Sequence, residues 1–334
     1  MTEDKRVRYN EALPKCSLPA NLFLTKMSLI VMILAALVHA VRPKQATKNL
    51  FVYTALVFAG QLFQPGQFLR ATYGFLLFTM VAGSIYILND LLDVAQDRLH
   101  PKKRLRPIAS GALPVPLAWA AFGVLGLLGT ALGFRLSPLF GLTLAAYFCL
   151  QIAYCFRLKH IVLLDVFTVA AGFVLRTASG GFAIHVHVSP WLMLFSLQLA
   201  LFLGFGKRRQ ELVLQGEKAG ETRAILNEYS LPFLDPMIVI VSAVTIVCYS
   251  VYSVDSPTAL SHPHLWVTVP FIIYGVCRYL YLVYQKGWGG APDEVLLKDR
   301  DLLISVVLWF VAVVLIFTFD GAGSTIFDAF GKGW

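Results

Sequence analysis

The stretch Asn89 to Pro107, NDLLDVAQDRLHPKKRLRP, sets three carboxylates at the end of an apolar run and five cations directly after them. Asp90, Asp93 and Asp97 stand at offsets 0, 3 and 7. On a helix turning ~100° per residue they fall within about 60° of one face, with Asn89 at its flank. Carboxylates this close repel one another unless a cation joins them. Oxygen-only ligands on a single face are how Mg2+ is held against a diphosphate. The plainer alternative is salt bridging to Arg98, Lys102 or Lys103 at a solvated helix end. Carboxylates at the end of a membrane span are costly, which favours the metal reading. No Gly-rich phosphate loop occurs, so a diphosphate would have to be gripped through metal and cations.

A second charged cluster, GKRRQEL, brings Lys207, Arg208 and Arg209 beside the lone acid Glu211. Lys207, Arg208 and Glu211 share roughly one helical face. So basic a cluster makes a poor metal site and a good seat for another phosphate. Arg42, Lys48, Lys103, Arg104 and Lys159 are further cations near the same water layer that could meet anionic groups. Tyr154 and Lys159 face the same water layer and could orient a phosphate. Snorkelling to lipid head groups remains the alternative for all of these positions.

The elements that must position these groups are membrane helices. Of 334 residues, 57% are hydrophobic and only 14% charged, where a soluble domain carries about 25%. Nine continuous apolar runs, roughly 49–64, 70–93, 114–133, 138–156, 161–183, 190–206, 236–254, 265–284 and 302–319, each approach the length a spanning helix needs. The runs do not alternate at period two, which excludes a barrel. The fold class is therefore an all-α polytopic membrane protein of about nine transmembrane helices. Residues 27–41 form a shorter apolar segment suited to an interfacial helix, although VHA within it is a passable signal-peptidase site. The chain divides into an N-terminal extension, 1–41, and a single transmembrane catalytic domain, 42–334.

With the N-terminus cytoplasmic, 23 of the 28 Lys and Arg fall on that side, and only Arg70, Arg135 and Lys332 on the other. This asymmetry predicts an inner (plasma) membrane protein whose N-terminus and active site face the cytoplasm. The net charge of +9 is spread over membrane loops rather than a folded surface, which argues against nucleic acid. The five cysteines, Cys16, Cys149, Cys155, Cys248 and Cys277, contain no CxxC and read as packing residues. The pairs His185/His187 and His262/His264 lie in far-side loops, where solvated histidines outnumber metal ligands. Asp165 and Arg176 share a face eleven residues apart in the fifth span; intramembrane ions of this kind are functional candidates. Arg278 in the eighth span is a similar candidate, or with Asp299 a structural link on the cytoplasmic side, and Gly180 and Gly181 suit close helix packing rather than substrate contact. A homo-oligomer is compatible with these features.

NDLLDVAQD resembles the NDxxDxxxD signature of the UbiA superfamily of intramembrane prenyltransferases, nine-helix proteins that bind a diphosphate through Mg2+ at this motif. HPKKRLRPIASG is similar to the loop that follows it. Aromatic prenyltransferases of the superfamily carry a second Asp-rich motif near the end of the sixth span, where this chain has GKRRQEL. That substitution resembles the decaprenyl-phosphate phosphoribosyltransferase branch, as do RPKQATKN (42–49), YCFRLKHIVLLDVFTVAAGFVLRTASGG (154–181) and RYLYLVYQKGWGGAPDEVLLKDRDLL (278–303). The likeness covers roughly residues 42–315. Ala46 departs from it, since Trp usually follows RPKQ, and so does the N-terminal extension. The resemblance implies Mg2+-dependent transfer of 5-phosphoribose from phosphoribosyl pyrophosphate to a polyprenyl phosphate. The metal would lie on Asp90, Asp93 and Asp97, the 5-phosphate on Lys207, Arg208 and Arg209. An aromatic or quinone prenyltransferase with an isoprenyl diphosphate donor is the competing expectation, and a transporter a weaker one.

Overall fold

The computed structural model describes residues 20–215, 224–290 and 292–320. The first 19 residues, with Cys16, and Lys332 lie outside the described residues. Among those described, structure is helical throughout. Eight helices are long and apolar enough to cross a membrane: α3 (Pro65–Leu92), α5 (Val115–Leu136), α6 (Pro138–Phe156), α7 (Leu164–Ile184), α8 (Pro190–Gln215), α9 (Leu231–Asp255), α11 (Val269–Gln285, with a 3-10 turn before it) and α13 (Arg300–Phe319). Shorter helices are α1 (Ala20–Val41), α2 (Thr54–Phe58), α4 (Val94–Leu99), α10 (Pro257–Ser261) and α12 (Pro292–Lys298).

Prolines mark many of the starts. Pro65, Pro138 and Pro190 each open a helix, where the missing N–H costs nothing and the fixed φ is already helical. Successive long helices pack on one another from α5 through α13, and α3 joins α5, α6 and α7. α3 and α7 are the most enclosed, α5 and α13 the most exposed to lipid. The enclosed pair is rich in small residues, among them Ala71, Gly74, Ala82 and Gly83 on α3 and Ala170, Gly172, Gly180 and Gly181 on α7. Without a hydrophobic force between helices in lipid, close backbone approach is what holds such a pair.

The expected first span, 49–64, is not a continuous α-helix. It begins earlier, as an eleven-residue 3-10 helix, Pro43–Tyr53, and continues into α2. At about 2.0 Å per 3-10 residue and 1.5 Å per α residue the segment rises about 30 Å, the hydrocarbon thickness. It packs against both α3 and α7. The tighter coil is accommodated because Gly180 has no side chain, for a Cβ there would collide with the carbonyl of Val52. Gly181 likewise clears the backbone of Val186. Both glycines therefore serve packing.

Polar ties fix the segment at mid-depth. Buried Arg176 donates to Asn49 Oδ1 at 2.8 Å and to the Tyr147 hydroxyl at 2.9 Å, and Asn49 donates to Thr79 at 3.0 Å. The Arg176 guanidinium also lies 4.9–5.3 Å from the ring centroids of Phe78, Tyr147 and Phe173. An amide, a phenol and three ring faces thus surround it, and it clamps the 3-10 crossing to α6 and α7.

The apolar segment 27–41 is the latter part of the 22-residue α1. Ala36 and Ala40 pack with Ile87, Leu91, Ile108 and Leu113, while Val41 covers Gly83. Ile30, Val31, Met32, Leu34 and Val38 are exposed. Arg42, at φ 56°, then reverses the chain into the 3-10 helix. Cys155 and Cys248 are buried, Cys149 and Cys277 exposed, and all four are free thiols.

Candidate active site

The end of α3 carries Asn89 and Asp90 on its last turn. The helix breaks at Asp93 (φ −93°, ψ 4°), and α4 resumes directly and presents Asp97. The acids therefore stay on one side of a nearly continuous rod. Asp90 and Asp97 are 2% exposed, Asp93 28%.

Each carboxylate meets a cation from a different part of the chain. Arg106 Nη1 lies 3.1 Å from Asp90 Oδ1 and 2.6 Å from Asp97 Oδ2, bridging the two. Arg42 Nη2 donates to Asp90 Oδ1 at 2.5 Å and stacks over the Tyr86 ring. Lys159 Nζ sits 3.0 Å from Asp93 Oδ1, and Asn89 donates to Asp93 Oδ2 at 3.0 Å. Three formal negative charges are thus balanced by three positive ones, which is what lets Asp90 and Asp97 be buried at all.

Local chemistry explains the delivery of Arg106. His100 Nδ1 accepts the backbone N–H groups of Lys102 and Lys103, forming a tight turn. A 3-10 turn follows, Lys103–Leu105, and Pro107 then forces Arg106 into extended backbone at φ −62°, ψ 145°. The chain folds back and returns the guanidinium to the acids it has just left. Lys103, half-buried, and Arg104, exposed, occupy the turn itself and are not among the cations on the carboxylates. Lys48 is half-buried on the 3-10 crossing, next to Asn49. Sequence reasoning passed over Arg106 in favour of its neighbours; the Arg-Pro dipeptide was the available signal.

These donors are hard oxygens, and Asp90 and Asp97 already converge on one cationic nitrogen, so the pair suits a hard divalent cation. As placed, Asp93 is turned toward Lys159 and Asn89. Among the described residues no three acids, histidines or cysteines are grouped closely enough to hold a metal. The expected three-carboxylate metal set is thus assembled as two acids on a shared point and a third held aside.

α8 extends past its expected end at 206 to Gln215 and carries the second cluster on its last three turns. Arg208 is 5% exposed. Its Nε donates to Asp165 Oδ2 at 2.7 Å and its Nη1 to Glu211 Oε2 at 2.6 Å. The Tyr229 hydroxyl donates to Asp165 Oδ1 at 2.6 Å and accepts the Leu163 N–H at 2.8 Å. That N–H belongs to a strained position, φ 67°, at the entry to α7. Burial and then Asp165 push the Tyr229 phenol above its ordinary range. Arg209 pairs with Asp235 at 2.6 Å and lies 4.4 Å from the Tyr284 ring centroid.

The three cations expected to bind one phosphate are therefore unequal. Arg208 and Arg209 are held by buried or stacked partners, whereas Lys207 is 45% exposed, with Glu211 at 3.8 Å. Asp165 pairs with Arg208, not with Arg176 eleven residues deeper. Tyr154 interacts electrostatically with Arg208, and the adjacent Cys155 with Lys159 and Asp93. The end of α6 thus lies between the two charged clusters, which makes them neighbours.

Elsewhere, Arg278 forms the expected link, with Asp299 at 2.9–3.1 Å and with Asp301 at 2.9 Å. The hydrogen bond from Arg278 holds the Asp299 carboxyl below its usual range. Among the far-side histidines, His185 lies 2.6 Å from Arg70 and His264 3.0 Å from Asp320.

Known proteins match this architecture. The UbiA prenyltransferase family model matches residues 49–213. A decaprenyl-phosphate phosphoribosyltransferase of Mycolicibacterium smegmatis is 32% identical over 315 residues, covering 90% of this chain and 94% of that protein. Its namesake in Corynebacterium glutamicum is 33% identical over 288 residues, 84% of this chain and 86% of that one. Among solved structures, a UbiA homolog from Archaeoglobus fulgidus bound to DMAPP and Mg2+ superposes with a TM-score of 0.66 at 19% identity, over 84% of this chain and 99% of that chain. The carboxylate signature at the end of α3, the shared helical bundle and near-full-length relatives lead to one conclusion: the chain belongs to the UbiA prenyltransferase family and is an integral membrane transferase.

Proposed function

We propose that the chain transfers 5-phosphoribose from phosphoribosyl pyrophosphate to a polyprenyl phosphate of the decaprenyl type, releasing pyrophosphate. The observation that carries this reading is the fate of the only acid in GKRRQEL. Glu211 is taken up by Arg208 and Lys207, so among the described residues GKRRQEL presents no open carboxylate for a second metal on an isoprenyl diphosphate. The names of the mycobacterial and corynebacterial relatives support it.

The donor carries a 1-diphosphate and a 5-phosphate, and the adjacent clusters suit the two ends. Asp90 and Asp97 would hold Mg2+, with Asp93 completing the oxygen set. An ion held there would supply Lewis-acid neutralisation of the pyrophosphate's charge. Arg42, Arg106 and Lys159 lie close enough to turn from carboxylate to diphosphate oxygens. Lys207 binds the 5-phosphate, while Arg208 and Arg209 position the end of α8 through Asp165, Glu211 and Asp235. Tyr154, between the clusters, orients the ribose. Lys48 meets the acceptor phosphate, and Lys103 and Arg104 meet lipid head groups.

In the reaction the bond from ribose C1 to the pyrophosphate oxygen breaks, and the electron pair leaves with pyrophosphate. An acceptor phosphate oxygen forms the new bond to C1 through an oxocarbenium-like transition state. The acceptor is already an anion, so no general base is needed; fixed cations supply the stabilisation. The active site and the N-terminus face the cytoplasm across the inner membrane, where the donor is dissolved.

Membranes containing the protein, incubated with labelled phosphoribosyl pyrophosphate, polyprenyl phosphate and Mg2+, should yield labelled lipid. Asp93→Asn should abolish it. An unlabelled lipid fraction together with prenylation of an aromatic acid from an isoprenyl diphosphate would overturn the proposal.

A further inference from the structure

On the face of the bundle opposite the carboxylates, four segments enclose a cavity of about 280 Å3: the end of α2, the loop between α7 and α8, the end of α9, and α10. Gln61 Oε1, Ser189 Oγ, Tyr252 OH and His262 Nδ1 line it, each buried and without a hydrogen-bond partner. Tyr252 is 0% and Ser189 6% exposed. The hydroxyls of Ser256 and Thr258 stand at the edge of hydrogen-bonding reach of Tyr252, so Gln61, Ser189 and His262 are the atoms most in need of a partner. Only eight such orphaned atoms occur among the described side chains, so four of them on one cavity is a concentration, not scatter. Buried polar groups are ordinarily satisfied, and an unsatisfied set facing one space marks a missing partner.

The lining also limits what that partner can be. None of the described residues lining the cavity is Lys, Arg, Asp or Glu, so a phosphate or an ammonium would enter without a counter-charge. Burial holds His262 below its ordinary range, against the opposing pull of Asp320, so its imidazole is neutral near pH 7. The space amounts to roughly nine water volumes at about 30 Å3 each. One or two waters would satisfy four atoms.

A second, mainly apolar cavity of about 190 Å3 lies next to the first, lined by Val57, Leu62, Phe63, Val314 and Phe317 with Thr318 at its edge. The two meet where the His262 ring packs on Phe317, centroids 4.1 Å apart. Gly60 keeps the junction open, since a Cβ there would come within 3.2 Å of Phe317 and 3.9 Å of His262 Nε2. Its φ of 65° also disfavours any other residue. A polar chamber joined to an apolar groove at a membrane surface is shaped for an amphiphile.

We infer that this far-side chamber binds a lipid with an uncharged, hydroxyl-bearing head group, seated among Gln61, Ser189, Tyr252 and His262, with its chain along the groove between α2 and α13. The site is about a bilayer thickness from the carboxylates and does not depend on the identity of the donor.

The test is native mass spectrometry of the full chain released from detergent after exposure to four defined ligands, three of them lipids. These are a glucosyl diacylglycerol, phosphatidylcholine, phosphatidylglycerol and the soluble head analogue methyl glucoside. The glucosyl lipid should be retained at least tenfold better than the other three. Tyr252→Phe with Gln61→Leu should abolish that preference while leaving transferase turnover unchanged, and Ser189→Ala should weaken it. Tyr252→Phe keeps the ring contact with Phe58, and melting curves of each variant separate lost binding from lost folding. Equal retention of phosphatidylcholine, equal binding of methyl glucoside, or a preference that survives in the well-folded double variant would each overturn the inference.

Discussion

Arg106→Gln isolates the balance of charge at the end of α3. Its Nη1 is within 3.1 Å of both Asp90 and Asp97, so the two carboxylates face each other across a short gap, each 2% exposed. Two unit charges about 5 Å apart at an effective dielectric of about 20 repel by roughly 3 kcal/mol. In the native protein that repulsion is cancelled by the guanidinium, and a divalent cation must displace it. In the variant only Arg42 remains, on Asp90 alone. The metal-free protein should lose about 3 kcal/mol of stability, and Mn2+ or Mg2+ should restore most of it. Relief of 1.4 kcal/mol is tenfold in affinity, so the ligand-free variant should bind Mn2+ about tenfold or more tightly than the native protein. Pyrophosphate in the presence of Mg2+ should bind about tenfold more weakly, because a charge-assisted contact of about 1.5–3 kcal/mol is gone. Paramagnetic resonance titration of Mn2+ and calorimetry with pyrophosphate read the two effects separately. Metal and pyrophosphate affinities that fall together would refute the reasoning and reduce Arg106 to a scaffold.

Three further outcomes are expected. Lys207→Ala should fold normally and raise the donor KM, whereas Arg208→Ala leaves Asp165 buried without its cation and should cost about 3–5 kcal/mol; Arg208→Lys should not rescue it, since one ammonium cannot span Asp165 and Glu211. Equal, mild effects of Lys207→Ala and Arg208→Ala on turnover and on detergent-solubilised melting would contradict this division of roles. Gly180→Ala sets a Cβ against the Val52 carbonyl and should destabilise by about 3 kcal/mol, visible as a lower melting temperature; a native-like melt would show that the 3-10 crossing is not wedged there. Asp299 has a folded pKa below its unfolded value, so the stability it contributes is complete above about pH 4 and is lost as pH falls through the folded value. The melting-temperature gap between native protein and Asp299→Asn should therefore shrink in acid, and a pH-independent gap would exclude the Arg278 link as its source.

Much of the fold is legible in local pattern because a spanning helix satisfies its own backbone, so a long apolar run suffices to announce it. The run 138–156 coincides with α6, and most of the others need only a few residues added at one end. The 49–64 run failed for an equally physical reason. Its 3-10 geometry depends on Gly180 and on Arg176, which grips Asn49; both come from α7 and leave no trace in the segment's own periodicity. At the site, Asp90, Asp93 and Asp97 stood out because like charges at helical spacing are costly near lipid. Arg106 and Tyr229 did not, because each matters only through the fold that returns it to a carboxylate.

By itself the sequence determined what was local and chemical: the membrane class, the boundaries of most spans but not of α8 or the 3-10 crossing, and the carboxylates at one helix end. Tertiary structure alone decided which cation meets which acid. It set Arg106 between Asp90 and Asp97, turned Asp93 to Lys159, and buried Arg208 against Asp165 so that Lys207 is left as the exposed cation of its cluster. Charge attracts charge at any sequence separation, and a composition rich in both signs permits many pairings. Only the packing of α3, α6, α7 and α8 selects among them, by fixing which side chains can reach one another and which are shut away from water.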